Sequence, residues 1–245
     1  MKRYKAVVFD LYGTLADIHT DEHRLSLWRE MAAFSAEQGA ACLPSVLRRR
    51  YEEITAREFE TAKQAAGPGA CPEIDLFPVF RELLGLGADE EAVRAAAWRF
   101  RTLSVTHLRA YTGAGELLRS LREDGRRVIL LTNAQRCFTA PELKKLGLWN
   151  AFDGVYISSD YGRKKPDGDF FRAMLRDQDL EAGDCLMVGN DPVCDIQGAA
   201  AVGMDTWYIR SGLSPADATP AGDVPATYRQ ERMDLKKLRK ALMND

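Results

Sequence analysis

Ala6-Val7-Val8-Phe9-Asp10-Leu11-Tyr12-Gly13-Thr14-Leu15 is the stretch from which the rest of the 245-residue chain is read. Its four leading apolar residues run without interruption and stop at an aspartate, and a glycine follows three positions on. An unbroken apolar run of this length suits a strand buried on both faces, as in a parallel sheet. The pattern recurs in Val128-Ile129-Leu130-Leu131 before Thr132-Asn133, and in Cys185-Leu186-Met187-Val188 before Gly189-Asn190-Asp191. Val155-Tyr156-Ile157 and Trp207-Tyr208-Ile209 are shorter versions. Helical patterns cover 115–124, 169–175 and 195–202, the first and last closed by Gly125 and Gly203. Strand and helix alternate from about residue 110 onward, which predicts an α/β core built on a Rossmann-like, mostly parallel sheet.

Residues 17–107 read differently. They are rich in Ala, Glu, Arg and Leu and hold no clear strand run. Helices are expected at 22–38, 45–64, 76–84 and 89–107, with Gly67-Pro68-Gly69 and Gly85-Leu86-Gly87 as breaks. The expected organisation is a core of residues 1–16 and 108–245, interrupted after its first strand by an α-helical cap domain at 17–107. A short basic helix is expected near 236–242.

Composition narrows the function classes. Lys and Arg total 34 against 36 Asp and Glu, a net charge of −2, without the basic excess of a nucleic-acid binder. No apolar run approaches the roughly 18–20 residues that span a bilayer, and the N-terminal apolar run ends after four residues, too short for a secretory signal. The five cysteines, Cys42, Cys71, Cys137, Cys185 and Cys194, are odd in number and widely spaced, which reads as reduced thiols in a cytoplasmic setting. The partner expected is a small-molecule substrate, with no nucleic acid and no membrane, for a monomer or homodimer.

Ligands of open α/β sheets bind at the carboxyl ends of the strands. The polar residues that end these strands are Asp10, Thr132 and Asp191, and Lys164 or Lys165 follows a further strand. A carboxylate at the end of a buried strand is placed to act as a nucleophile. Gly13 permits the tight turn that leaves it facing a cleft. Taken singly, each of these residues also reads as a cap or turn residue.

Taken together, Asp10-x-Tyr12-Gly13-Thr14-Leu15, Leu131-Thr132-Asn133, Lys164-Lys165-Pro166-Asp167 and Val188-Gly189-Asn190-Asp191-x-x-x-Asp195 resemble, in order and spacing, the four motifs of the haloacid dehalogenase (HAD) superfamily. The resemblance covers about 1–16 and 108–212, and the helical block is similar to that family's C1 cap. It implies that Asp10 forms a covalent aspartyl intermediate and that Tyr12, Thr132 and Asn133 contact the substrate. Lys165, directly before Pro166, is the better match to the family lysine, with Lys164 its rival. The resemblance further implies Mg²⁺ held by Asp10, the carbonyl of Tyr12, Asp191 and Asp195, a set of hard oxygens that suits this ion.

Two positions depart from the phosphatase pattern. Tyr12 stands where those enzymes carry a second Asp, and Asp-x-Tyr-Gly-Thr is found in the 2-haloacid dehalogenases of the superfamily. Asn190 stands where some relatives have the first acidic residue of the last motif. Asp191 and Asp195 nonetheless keep metal spacing, and carboxylates converging on Asp10 call for a cation. The favoured function is therefore Mg²⁺-dependent hydrolysis of a small phosphorylated metabolite. A metal-independent 2-haloacid dehalogenase and a non-catalytic ligand-binding protein are the alternatives. The dehalogenase reading needs an arginine from the cap, and Arg24, Arg29, Arg48, Arg49, Arg50 and Arg57 are available. Trp28 and Phe34 read as cap core. His19, His23 and His107 show no metal spacing.

Overall fold

The computed structural model describes residues 1–85, 87–215 and 224–243. Leu86, part of an expected break, lies outside the described residues, as do 216–223 and 244–245 of the expected core. In chain order the elements begin with β1 (Ala6–Phe9) and β2 (Ala16–Thr20). Four helices follow, α1 (Leu25–Glu37), α2 (Pro44–Ala66), α3 (Leu76–Leu84) and α4 (Glu90–Ser104). Then come β3 (Val105–Ala110), α5 (Ala114–Glu123), β4 (Arg127–Thr132), α6 (Arg136–Lys145), β5 (Gly154–Ile157), α7 (Ser158–Tyr161) and α8 (Gly168–Asp177). The chain closes with β6 (Cys185–Gly189), a π-helical turn at Pro192–Gln197 leading into α9 (Gly198–Ala201), β7 (Asp205–Ile209), β8 (Tyr228–Gln230) and α10 (Leu235–Met243). None of the described helices is long and apolar enough to cross a membrane.

Six strands form one parallel sheet in the order β5-β4-β1-β6-β7-β8. Successive side chains of a strand point to opposite faces, so a strand covered on both sides must be apolar at every position. That is what β1 shows. Val7 and Phe9 join Val128, Leu130, Leu186 and Val188 in one cluster, packed under Leu117 and Leu121 of α5 and Leu238 of α10. Ala6 and Val8 join Ile129, Leu131 and Met187 in another, under Phe170, Phe171 and Met174 of α8. The register sets Phe9 beside Leu130 on one side and Val188 on the other, so Asp10, Thr132 and Gly189 emerge along one edge of the sheet.

Helices α1 to α4 bury a separate core. Trp28, Tyr51, Phe80 and Phe100 meet at its centre, with the Tyr51 and Phe100 rings 5.1 Å apart. Phe138 of α6 inserts into the same cluster from the sheet side. Trp28 and Phe34 lie in this core, as expected from the sequence.

The expected strands β1, β4, β5, β6 and β7 and most helices fall where the sequence places them, but β8 was not anticipated and the helix expected over 89–107 stops at Ser104. Val105–Ala110 is instead β3, antiparallel to β2. The ribbon does alternate, with Ala16, Ile18, Leu108 and Ala110 on one face and Asp17, His19, His107 and Arg109 on the other, but two apolar residues per strand are too short a run to stand out beside the helical patterns. Only one face of it is partly covered. The expected division at 16/17 and 107/108 cuts through this ribbon. Helix α6 was also not anticipated, since Pro141 lies inside it.

Candidate active site

Asp10 leaves β1 with its amide still bonded to the Val188 carbonyl at 3.1 Å. The chain then turns on Gly13, whose φ of +89° lies in the left-handed region that favours glycine. A second constraint acts on the same residue: a Cβ there would fall 2.4–2.7 Å from the Asn190 side chain. Asn190 is thereby packed directly on the loop that carries Asp10. The Thr14 hydroxyl lies 3.2 Å from Asn190 Oδ1 and 3.4 Å from Asp10 Oδ2. Its single proton serves one oxygen at a time.

Lys165 completes the other side of Asp10. Its ammonium donates to Asp10 Oδ1 at 2.8 Å, Asp195 Oδ1 at 2.6 Å and the Leu131 carbonyl at 2.8 Å, which uses all three protons. Thr132 Oγ1 donates to the same Asp10 oxygen at 3.2 Å. The Lys165 side chain is 1% exposed. Burial works against its charge, but the carboxylates of Asp10 and Asp195 outweigh that and hold its pKa above the usual lysine value. Burial pushes the Asp195 carboxyl up, and the like charge of Asp10 adds to it while Lys165 opposes. Asn133 spends both ends of its amide on the Lys165 backbone, accepting from its N–H at 2.8 Å and donating to its carbonyl at 2.9 Å. It therefore fixes the lysine and does not extend into the cleft as a free polar group. Lys164 lies elsewhere, its ammonium 5.7 Å from the centre of the Phe59 ring.

The carboxylates of the last motif do not gather as expected. Asp195 gives Oδ1 to Lys165 and Oδ2 to the Asp191 amide at 2.9 Å. Asp191 Oδ1 accepts from the amides of Val193 and Cys194, both at 2.8 Å, and so caps the π-helical turn. Among the described residues, no three acidic, His or Cys side chains converge to hold a metal ion. The expected set of Asp10, Asp191 and Asp195 is thus not assembled around one point. The charge argument that called for a divalent cation is met differently, because Lys165 lies between Asp10 and Asp195. The group facing the Asp10 loop is Asn190.

Tyr12 points into the cleft wall. Its hydroxyl donates to Glu142 Oε2 and lies 3.2 Å from Thr139 Oγ1. Glu142 is fully buried and receives Arg101 of α4 in a two-pronged bond, 2.6 Å to Oε1 and 3.3 Å to Oε2. The Arg101 guanidinium also lies over the rings of Tyr12 and Phe138. Burial, reinforced by the Glu142 charge, pushes the Tyr12 hydroxyl pKa up. Sequence reading missed this network. Arg101 had a legible signal, since it falls four residues after Ala97 on the apolar face of α4. Glu142 sits in the helix that Pro141 obscured.

A cleft of about 700 Å³ lies between the helical layer and the sheet edge, walled by Tyr12, Asn133 and Phe138 on one side and Tyr51, Phe59 and Ile74 on the other. Arg101 is the one arginine among the described residues that line it. The arginines singled out in the sequence are engaged elsewhere: Arg48 with Glu52, Arg49 with Glu53, Arg57 with Glu82, and Arg24 and Arg50 with main-chain carbonyls. Arg29 does not line the cleft. His19 and His107 bond to Thr106 and Asp17 within the β2–β3 ribbon.

Residues 4–203 match the family model of the haloacid dehalogenase-like hydrolases. The chain belongs to that family. Among curated relatives of this HAD-like hydrolase is the ribulose-1,5-bisphosphate 5-phosphatase of Halopiger xanaduensis. It is 36% identical over 117 residues, 48% of this chain and 48% of that protein. A glyceraldehyde 3-phosphate phosphatase of Methanopyrus kandleri is 28% identical over 94% of this chain and 96% of its own. Three of the curated relatives, the Halopiger enzyme among them, are matched over only 48%, 54% and 59% of their own length. Two solved structures share the fold of this HAD-like hydrolase along nearly all of both chains. One is a 2-haloacid dehalogenase of Pseudomonas syringae, with a TM-score of 0.62, 21% identity and 98% coverage of each chain. The other is the HAD-hydrolase YfnB of Bacillus subtilis bound to magnesium, with a TM-score of 0.54, 19% identity and coverage of 98% and 99%.

Proposed function

We propose that this HAD-like hydrolase is a phosphatase of small phosphorylated metabolites, with Asp10 as nucleophile and helices α1 to α4 as the cap over its cleft. The observation that carries the reading is the Asp10 carboxylate held by Lys165 and Thr132 at the end of β1. The phosphatases among its relatives support the choice of phosphoryl substrate. An Asp10 oxygen attacks phosphorus, the ester P–O bond breaks, and the alcohol leaves with a proton from water. Water then attacks the phosphorus of the aspartyl-phosphate, releasing inorganic phosphate and restoring the carboxylate. Lys165 orients the Asp10 carboxylate by its hydrogen bond and offsets the charge that builds on the phosphoryl oxygens. Asp195 and Asn133 hold the lysine in place. Tyr12 supplies no ready proton, because its hydroxyl is turned to Glu142.

The donors beside Asp10 are hard oxygens, its own carboxylate and Asn190 Oδ1, which share the Thr14 hydroxyl, and the family resemblance adds the Tyr12 carbonyl. They fit Mg²⁺, which commonly takes one or two carboxylates and keeps several waters. The magnesium found with the Bacillus subtilis relative supports this choice of ion. When bound, Mg²⁺ supplies charge neutralisation at the transferring phosphoryl group. In this reading Asp191 and Asp195 shape the loop and the lysine and leave the ion to Asn190. The setting is a reducing cytoplasm, in keeping with five cysteines unbonded to one another.

The dehalogenase alternative is weaker because the one cleft arginine is already bound to Glu142 and is not free to take a halide or carboxylate. Release of p-nitrophenol from p-nitrophenyl phosphate, with Mg²⁺ or with EDTA, tests the proposal. Turnover should require Mg²⁺ and vanish in Asp10→Asn. Turnover unchanged in that variant, or chloride release from 2-chloropropionate in EDTA without phosphate release, overturns it.

A further inference from the structure

The charges that line the cleft are uneven. Glu22, Glu52, Glu73 and Arg101 face it. Glu52 is paired with Arg48 at 2.7 Å. Arg101 is bound on two sides by the Glu142 carboxylate, and the Glu22 carboxylate also acts on it. Glu73 accepts from the Ile74 amide at 3.1 Å and from Ser158 Oγ at 3.0 Å, both neutral donors. Neither Glu22 nor Glu73 belongs to a salt bridge among the described residues. The wall therefore presents two carboxylates outside any salt bridge among the described residues, while its arginine is committed to Glu142 and the Lys164 ammonium lies 5.7 Å from the centre of the Phe59 ring. Between the two carboxylates lie Tyr51, Phe59, Ile74, Leu76 and Phe138, a surface of rings and aliphatic carbon.

We infer that the enzyme takes phosphate monoesters of alcohols that are neutral or cationic beyond the ester, and discriminates against alcohols carrying a carboxylate or a second phosphate. The inference rests on the phosphatase reading and names its substrate class. An anionic group on the alcohol would lie beside Glu22 and Glu73, neither of which has a salt-bridge partner among the described residues, and like charges at close range repel. A protonated amine meets the opposite field. An apolar or uncharged body is received by the rings. The rejecting element is as much a part of specificity as any attractive contact.

The test uses three two-carbon esters that differ only in the charge of the alcohol: phosphoethanolamine, ethyl phosphate and phosphoglycolate. Phosphate release gives kcat/KM for each in the Mg²⁺-loaded full chain. Phosphoethanolamine and ethyl phosphate should exceed phosphoglycolate by tenfold or more, which is about 1.4 kcal/mol at the transition state. Glu22→Gln and Glu73→Gln should each narrow the ratio of phosphoethanolamine to phosphoglycolate several-fold, and the pair together more so. Phosphoglycolate as good as the other two, or a ratio that neither variant moves, overturns the inference. Hydrolysis of p-nitrophenyl phosphate in the same preparation separates this failure from failure of the phosphatase reading. If no ester is hydrolysed, that reading falls, and the Tm rise given by each of the three esters then decides the charge preference. The same order in Tm upholds it for binding, and an equal or reversed order overturns it.

Discussion

Replacing Lys165 by Met keeps most of the side-chain volume and removes the ammonium that Asp10 and Asp195 share. Both carboxylates then stay buried, at 10% and 2% side-chain exposure, with no counter-charge. Their facing oxygens are each bonded to one nitrogen, at 2.8 and 2.6 Å, so they cannot be farther apart than the two bonds laid end to end. At a separation of about 5.4 Å and an effective dielectric near 20, two unit charges repel by roughly 3 kcal/mol. Removing one partner of a buried pair typically costs about 3–5 kcal/mol. Lys165→Met should therefore lose about 3–5 kcal/mol in urea unfolding at pH 7, measured with EDTA present so that no added cation replaces the ammonium. The decisive arm is Asp195→Asn. With Lys165 present it should destabilise, because the ammonium loses a carboxylate. In the Lys165→Met background it should restore roughly 1–3 kcal/mol, because one of two uncompensated charges is gone. A loss below about 1 kcal/mol for Lys165→Met, or the same sign for Asp195→Asn in both backgrounds, would refute the picture of one ammonium balancing two acids.

Gly13→Ala should destabilise by roughly 1–3 kcal/mol from its positive φ and its collision with Asn190. Adding Asn190→Ala should relieve only the collision, so a full rescue in denaturant unfolding would count against the backbone part of the argument. Arg101→Met leaves the wholly buried Glu142 without its cationic partner, for an expected loss of about 3–5 kcal/mol, and an unfolding midpoint within error of wild type would contradict it. Glu22 gives a pH test. Burial raises its pKa, with Arg101 and His23 pulling the other way. A carboxyl with a raised folded pKa contributes most below its unfolded value, about 4.3, and that contribution is lost as pH rises through the folded pKa. Glu22→Gln should thus be more stable than wild type at neutral pH, with the advantage disappearing as pH falls below about 4. Tm measured across that range checks the sign.

What the sequence made legible follows from burial. Strands such as Ala6–Phe9 are apolar on both faces because both faces are covered, and that leaves an unmistakable run. Asp10, Thr132 and Lys165 were readable because strand ends collect at one edge of a parallel sheet. The β2–β3 ribbon was not readable, since its covered face offers only Ala16 and Ile18 on one strand and Leu108 and Ala110 on the other, too few apolar positions to mark a strand. The acidic residues of the last motif were read by spacing alone, and spacing does not say which partner a carboxylate takes. Asp195 takes a lysine 30 positions earlier in the chain, and Asp191 takes the amides of its own turn. The Arg101–Glu142 bond joins helices 41 residues apart, and no local pattern encodes such a meeting.

That bond adds a charged link between two layers that Phe138 and the Gln135 side chain already join. Arg101 belongs to the helices above the cleft and Glu142 to a helix beside the sheet, and Tyr12 hangs from the same carboxylate two residues along from Asp10. Parting the two layers by more than a hydrogen-bond length breaks the ion pair, lets water reach Glu142 and uncovers the Tyr12 ring in a single event. Any parting of the two layers would therefore open the cleft and reshape its floor along one coordinate rather than two.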